Sequence, residues 1–194
     1  MSPLHRLRRL AILSGLAGAL VLWSLLPVAR AISLERPPSG YSWVEFKEAN
    51  SAYLKPHGWF ESIQRDGDVA TLFISKENMD QLGSYRTGLS VNVIRNVRQR
   101  AGMTPSQFAR RSVTKTAASK EVLSQWANPM TGGGLNVGFR YRDRAPLPAL
   151  LIHTVLIADD GADVLQILVF GAPESEWERA WHHGERMLTH MLVG

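Results

Sequence analysis

The chain has 194 residues, no cysteine and a formal net charge of +5. Without cysteine there are no disulfides, thiolate metal sites, cysteine nucleophiles or lipid-modified N-terminal cysteine, and a chain of this length closes one hydrophobic core without cross-links. Of its 22 Lys and Arg residues, four arginines stand in residues 1–31, which hold no acid; the remaining 18 face 17 acids, too even a balance for nucleic-acid backbone binding.

Residues 10–28 carry no charge, Arg6, Arg8 and Arg9 precede them, and Ala29-Arg30-Ala31 follows. A basic start, an apolar run and small residues at an A-x-A site form an export signal. The run is also close to the length of a membrane span, so two readings stand: a signal peptide over 1–31 cleaved after Ala31, which is preferred, or an uncleaved anchor. Both place the following domain outside the cytoplasm by the positive-inside bias: in the periplasm, or anchored in the inner membrane and facing the periplasm.

Residues 32–40 read as a linker, because Pro37-Pro38 and Ser39-Gly40 discourage regular structure. A single domain is expected over 41–194. Apolar stretches run over Ser42–Phe46 and Ala52–Phe60, and a hairpin is predicted across Arg65-Asp66-Gly67-Asp68. Lys76–Gly88 reads as a loop with one helical turn, and Leu89–Ile94 alternates like a strand with Ser90 and Asn92 on one face. Thr104-Pro105-Ser106-Gln107 is a capping box with proline at the first helical position, so a helix is expected through Lys120, continuing or restarting through Glu121–Ala127 until Asn128-Pro129. The glycine run 132–134 reads as a flexible loop. After it, Leu135, Val137, Phe139 and Tyr141 fall on one side of a strand and Asn136, Gly138 and Arg140 on the other.

Leu150–Ala158 and Val164–Gly171 are nearly continuous apolar runs joined by an acidic turn, which predicts a central hairpin covered on both faces. One cover is a final helix over Glu174–Leu192, with Trp177, Ala180, Trp181, Gly184, Leu188 and Met191 at helical spacing; the helix near Phe108 is the other. The resulting fold class is α+β: an antiparallel sheet of about six to seven strands sandwiched between helices, after the N-terminal signal or anchor helix.

Pro56-His57-Gly58-Trp59 after an aromatic strand, and the ending VLIADDGADVLQILVFGAP with Pro173-Glu174 and Trp177, resemble PsbP and DcrB-type domains, the group that shares its fold with the Ran-binding Mog proteins. The resemblance spans Ser42–Leu192. It implies that fold and a non-catalytic role, since PsbP proteins are extrinsic accessory subunits of the photosynthetic oxygen-evolving complex, DcrB-type proteins are exported envelope proteins and the Mog group binds a small GTPase. It transfers no binding residue.

The chemistry-bearing residues give little for catalysis. There is no nucleophile elbow, H-E-x-x-H helix or phosphate loop, and no cofactor is expected. Asp159, Asp160 and Asp163 lack calcium-loop spacing. His183, Met187 and His190 share a flank of the last helix, but seven residues rise about 10.5 Å, too far for both imidazoles to hold one ion; a solvated flank is the reading. His153 is expected to be a buried neutral histidine and Arg95, Arg98, Arg100, Arg110 and Arg111 a solvated charged face. One polar patch stands out: Asn92, Asn136 and Arg140 would line a shallow pocket beside Gly138 if their strands are near neighbours. The leading function is therefore an exported accessory module docking on an envelope or membrane protein complex, with a possible tether through residues 10–28. A small-ligand binder at Arg140 is the alternative, and a hydrolase using His57 or His153 the third.

Overall fold

The computed structural model describes residues 34–67, 69–131 and 133–193; the leader expectation falls outside them. Strands β1 (Tyr41–Phe46) and β2 (Ser51–Pro56) form a hairpin, and β3 (Phe60–Asp66) and β4 (Val69–Ser75) a second. A short helix α1 (Met79–Leu82) leads to β5 (Gly88–Arg95), followed by helices α2 (Val97–Ala101) and α3 (Pro105–Ala117). Then come β6 (Glu121–Pro129), β7 (Leu135–Asp143), β8 (Leu150–Asp159), β9 (Val164–Pro173), helix α4 (Trp177–Thr189) and a two-residue strand β10 (Leu192–Val193).

Seven strands make one antiparallel sheet in the order β3-β4-β5-β9-β8-β7-β6. The apolar hairpin β8–β9 is thus interior, and its alternation feeds two cores. On one face Leu156, Ala158 and Leu165 pack with Leu135, Val137 and Phe139 of β7 and with Val97, Phe108 and Ala109. On the other, Leu168, Phe170 and Ala172 meet Leu72, Ile74, Leu89 and Val91 and are covered by Trp177, Ala180 and Met187 of α4. The small sheet β1-β2-β10 shares that second cover through Val44, Phe46 and Tyr53, an addition to the expected purely helical layer. Gly184 lets α4 close down: a Cβ there would stand 2.7 Å from the Phe170 ring.

The capping box forms as read, with Gln107 N donating to Thr104 Oγ1 (3.2 Å) and Thr104 N to Gln107 Oε1 (2.9 Å). The acidic turn between β8 and β9 latches this region. Asp160 accepts from Ser106 N (2.8 Å) at the start of α3, and Asp163 accepts from Arg98 N (3.1 Å) in α2. Asp160→Ala is expected to cost about 1 kcal/mol, as for loss of a helix N-terminal acceptor, read as a Tm fall of about 2–4 °C in a thermal scan.

Three expectations change. Residues 121–129 form an edge strand, because helix α3 stops at Ala117 and β7 would otherwise leave its outer backbone groups unpaired. The final helix ends at Thr189, releasing Leu192 and Val193 to pair with Ala52 and Ser51 of β2. The glycine loop is tightly held at one point: Gly134 has φ +130° and its Cβ position lies 2.2 Å from the Ala158 carbonyl oxygen, space that only glycine leaves open.

Candidate functional site

Because β7 alternates, Asn136, Gly138, Arg140 and Arg142 project toward the α4 side of the sheet, opposite to the core residues Leu135, Val137 and Phe139. Register then fixes their neighbours. His153 of β8 pairs with Arg140, while Ser124 and Trp126 of β6 pair with Arg140 and Gly138. Gly138 seats the Trp126 indole, since a Cβ there would fall 2.2 Å from its Cε2 atom.

Helix α4 supplies the other wall. Trp177 and Trp181 stack with ring centres 5.2 Å apart, and the Arg140 guanidinium carbon lies 4.9 Å and 4.5 Å from those two rings. Such cation–π contacts contribute about 0.5–2 kcal/mol each, more as water is excluded. His153 meets Trp181 edge-on at 4.8 Å. Burial, and secondarily the Arg140 charge, push its imidazole down to about 4, so it is neutral near pH 7. Burial also depresses Arg140 from its ordinary value, against the opposing pull of Glu178 and Glu185, and the guanidinium stays charged. Arg142 pairs with Glu174 and Glu121, tying the segment before α4 to β6 and β7.

Three buried polar atoms on this face have no hydrogen-bond partner among the described residues: Asn136 Oδ1, Arg140 Nε and His153 Nδ1. The Arg140 donor and the nitrogen of the paired His153 stand side by side and suit a small polar or anionic group, while Asn136 lies four residues along β7, about 13 Å away, beyond the Trp126 indole.

Asn92 does not join them. It lies on the α3 face of β5, where its Oδ1 accepts from Thr71 Oγ1 (2.9 Å) and its Nδ2 donates to the Ile167 carbonyl (3.3 Å). β9 and β8 intervene between β5 and β7, so the anticipated shared face holds for Asn136 and Arg140 alone.

The histidines take structural positions. His153, anticipated as a buried neutral histidine, is neutral and half-buried. His57 Nε2 lies 3.2 Å from the Tyr41 carbonyl oxygen, in the turn after β2. His183 Nδ1 is 2.8 Å from the Tyr41 hydroxyl and packs on Trp59, while Met187 is fully buried in the core. The flank expected to be solvated is therefore partly core, because the small sheet covers it. Among the described residues no group of three or more His, Asp or Glu side chains is arranged to hold a metal ion, and no helix is long and apolar enough to cross a membrane.

No family model matches the chain, and no curated protein does. Similarity appears in three dimensions. The cyanobacterial PsbP of Synechocystis matches with a TM-score of 0.51 at 12% identity, over 84% of this chain and 99% of that one. The fold is PsbP-like. The Ran-binding protein Mog1p of Saccharomyces cerevisiae (TM-score 0.45, 12% identity, 79% of this chain and 95% of that one) is a more distant match. So is a Pseudomonas aeruginosa protein of unknown function described as a putative regulator (0.42, 14%, 79% and 96%). The PsbP match supports the fold anticipated from the P-H-G-W turn and the closing hairpin, and at this identity it transfers no residue role.

Proposed function

We propose that the chain is an exported accessory protein that works by docking on an envelope or membrane protein complex, either freed by cleavage after Ala31 or tethered through residues 10–28. The observation that carries this reading is the PsbP-like fold matched across 99% of the cyanobacterial protein, joined to the basic and apolar pattern of residues 1–31, read as an export signal. PsbP proteins are extrinsic subunits of a larger assembly, and the same role suits this chain. His153 is half-buried, neutral near pH 7 and set edge-on against Trp181. Native electrophoresis of a mild detergent extract of the producing cell's envelope tests the proposal. The full chain is expected to migrate in one band well above its own 21.6 kDa; migration as the free chain contradicts it.

A second reading rests on the unpartnered atoms of Arg140 and His153: a small anionic ligand held beside the Trp177–Trp181 stack. Citrate and inorganic phosphate, titrated to millimolar concentration, are then expected to raise the Tm of the purified protein, an increase abolished by Arg140→Leu. Equal Tm values with and without these anions would remove this reading.

A further inference from the structure

The two edges of the seven-stranded sheet are built differently. Along β3 stand Glu61, Arg65 and Asp66, with Glu61 paired to Lys55 and Arg65 to Glu48, which guards that edge against pairing with another strand. Along β6 the run from Ser124 to Asn128 carries no charge, and every residue in it is exposed. A bulge between Val122 and Ser124 and Pro129 protect only the ends.

Beside this edge lies a groove of about 460 Å³ between α3 and β6, with Val113, Val137 and Ala127 supplying apolar surface and Arg110 a charge. The whole segment from Arg95 to Lys120 contains seven Arg and Lys and no Asp or Glu. Among the described residues its exposed members Arg110, Arg111 and Lys115 have no ion-pair partner, although Arg98 pairs with Asp163 and Lys120 with Asp143. An unpaired strand edge recognises an extended backbone, the adjoining groove selects alternate side chains, and unpaired cations select acids among them.

We propose that the free edge of β6 takes up an extended, acidic polypeptide segment of the partner as an eighth strand, with its alternate side chains in the groove beside α3. This names the docking surface of the accessory role proposed above and rests on that reading. A second copy of the chain is a poorer occupant, because antiparallel β6–β6 pairing would set two cationic α3 helices side by side on one face. An anionic lipid headgroup would satisfy the cations but offers no backbone groups to the strand edge.

The test places the photocrosslinking amino acid benzoylphenylalanine at Gln125 on β6, or at Ile63 on the opposite edge, in the full chain within its own envelope. Native electrophoresis is run in parallel, and the adduct peptide is identified by mass spectrometry. The expected result is a protein adduct from position 125 through an Asp- or Glu-rich segment, none from position 63, and at least a tenfold loss of adduct in an Arg110→Glu, Arg111→Glu variant whose urea midpoint is unchanged. An intact high-mass complex with no adduct at position 125 overturns the docking surface and leaves the accessory reading standing. So does an adduct to lipid, to a second copy or to a segment without acids, or one that survives the charge reversal. Absence of any complex overturns both.

Discussion

Replacing Phe170 with alanine is expected to destabilise the protein by about 3–5 kcal/mol, the range for removing a fully buried aromatic ring. Phe170 sits on β9, the middle strand of the seven, with no exposed surface. Its ring meets Trp177 and Trp181 edge-on at 6.0 Å and 5.8 Å, and α4 rides directly on it at Gly184. The space left by the ring cannot close by collapse of one side chain, because α4 is also fastened by Met187 in the core and through Arg142 to Glu174 just before it. Against a typical total of about 5–15 kcal/mol, such a loss leaves a marginal fold. Urea denaturation measures it directly, and a cost below about 1.5 kcal/mol would show that α4 does not depend on this contact. Phe170→Leu keeps part of the volume and is expected to cost clearly less.

The second large effect is a pH dependence centred on His153. Its folded pKa of about 4 lies below the 6.5 of a free imidazole, so between these values the unfolded chain binds a proton that the folded protein does not. Stability is therefore full above about pH 6.5 and falls as the pH drops toward 4. Between pH 7.5 and pH 5 the loss attributable to this group is about 1–2 kcal/mol, after allowance for its partial exposure. His183 is depressed in the same direction, first by burial and then by His182 and Arg186, and adds to the slope. The lowered carboxyls of Glu48, Glu121 and Asp143 act mainly below this window, where their own unfolded forms protonate. Urea titrations at the two pH values are expected to show a smaller loss for His153→Leu than for the parent, with the residual slope reduced further by a second change at His183. Identical slopes in parent and His153→Leu would contradict the burial of this imidazole beside Arg140.

Much of this architecture is written locally in the chain. The Thr104–Gln107 capping box, the Asp-Gly hairpin before β4 and the two apolar runs of β8 and β9 each specify their structure within a few residues. Features set by long-range pairing were not legible. β6 follows a helix without a glycine or proline stop and contains helix-compatible residues; only the unpaired edge of β7, distant from any local signal, makes it a strand. The site shows the same division. Alternation within β7 places Asn136 and Arg140 on one face, because one strand carries its own parity. Asn92 needed the strand order as well, and with two strands intervening its parity relative to β7 has no signature in sequence. His153 opposite Arg140, and the stacked indoles beside its guanidinium, likewise emerge from register and from the docking of α4. The spacing of Trp177 and Trp181 did mark them as one helical stripe, and their stacking follows from it.

The accessory role is tested most directly by gentle affinity purification of the C-terminally tagged chain from its native envelope, quantifying the co-purifying proteins and determining the chain's own N-terminus. The account predicts one membrane or envelope protein in fixed stoichiometry with the chain, and an N-terminus at Ile32 or Met1 according to whether the leader is cleaved. A chain recovered alone, with no partner in constant ratio, would contradict it.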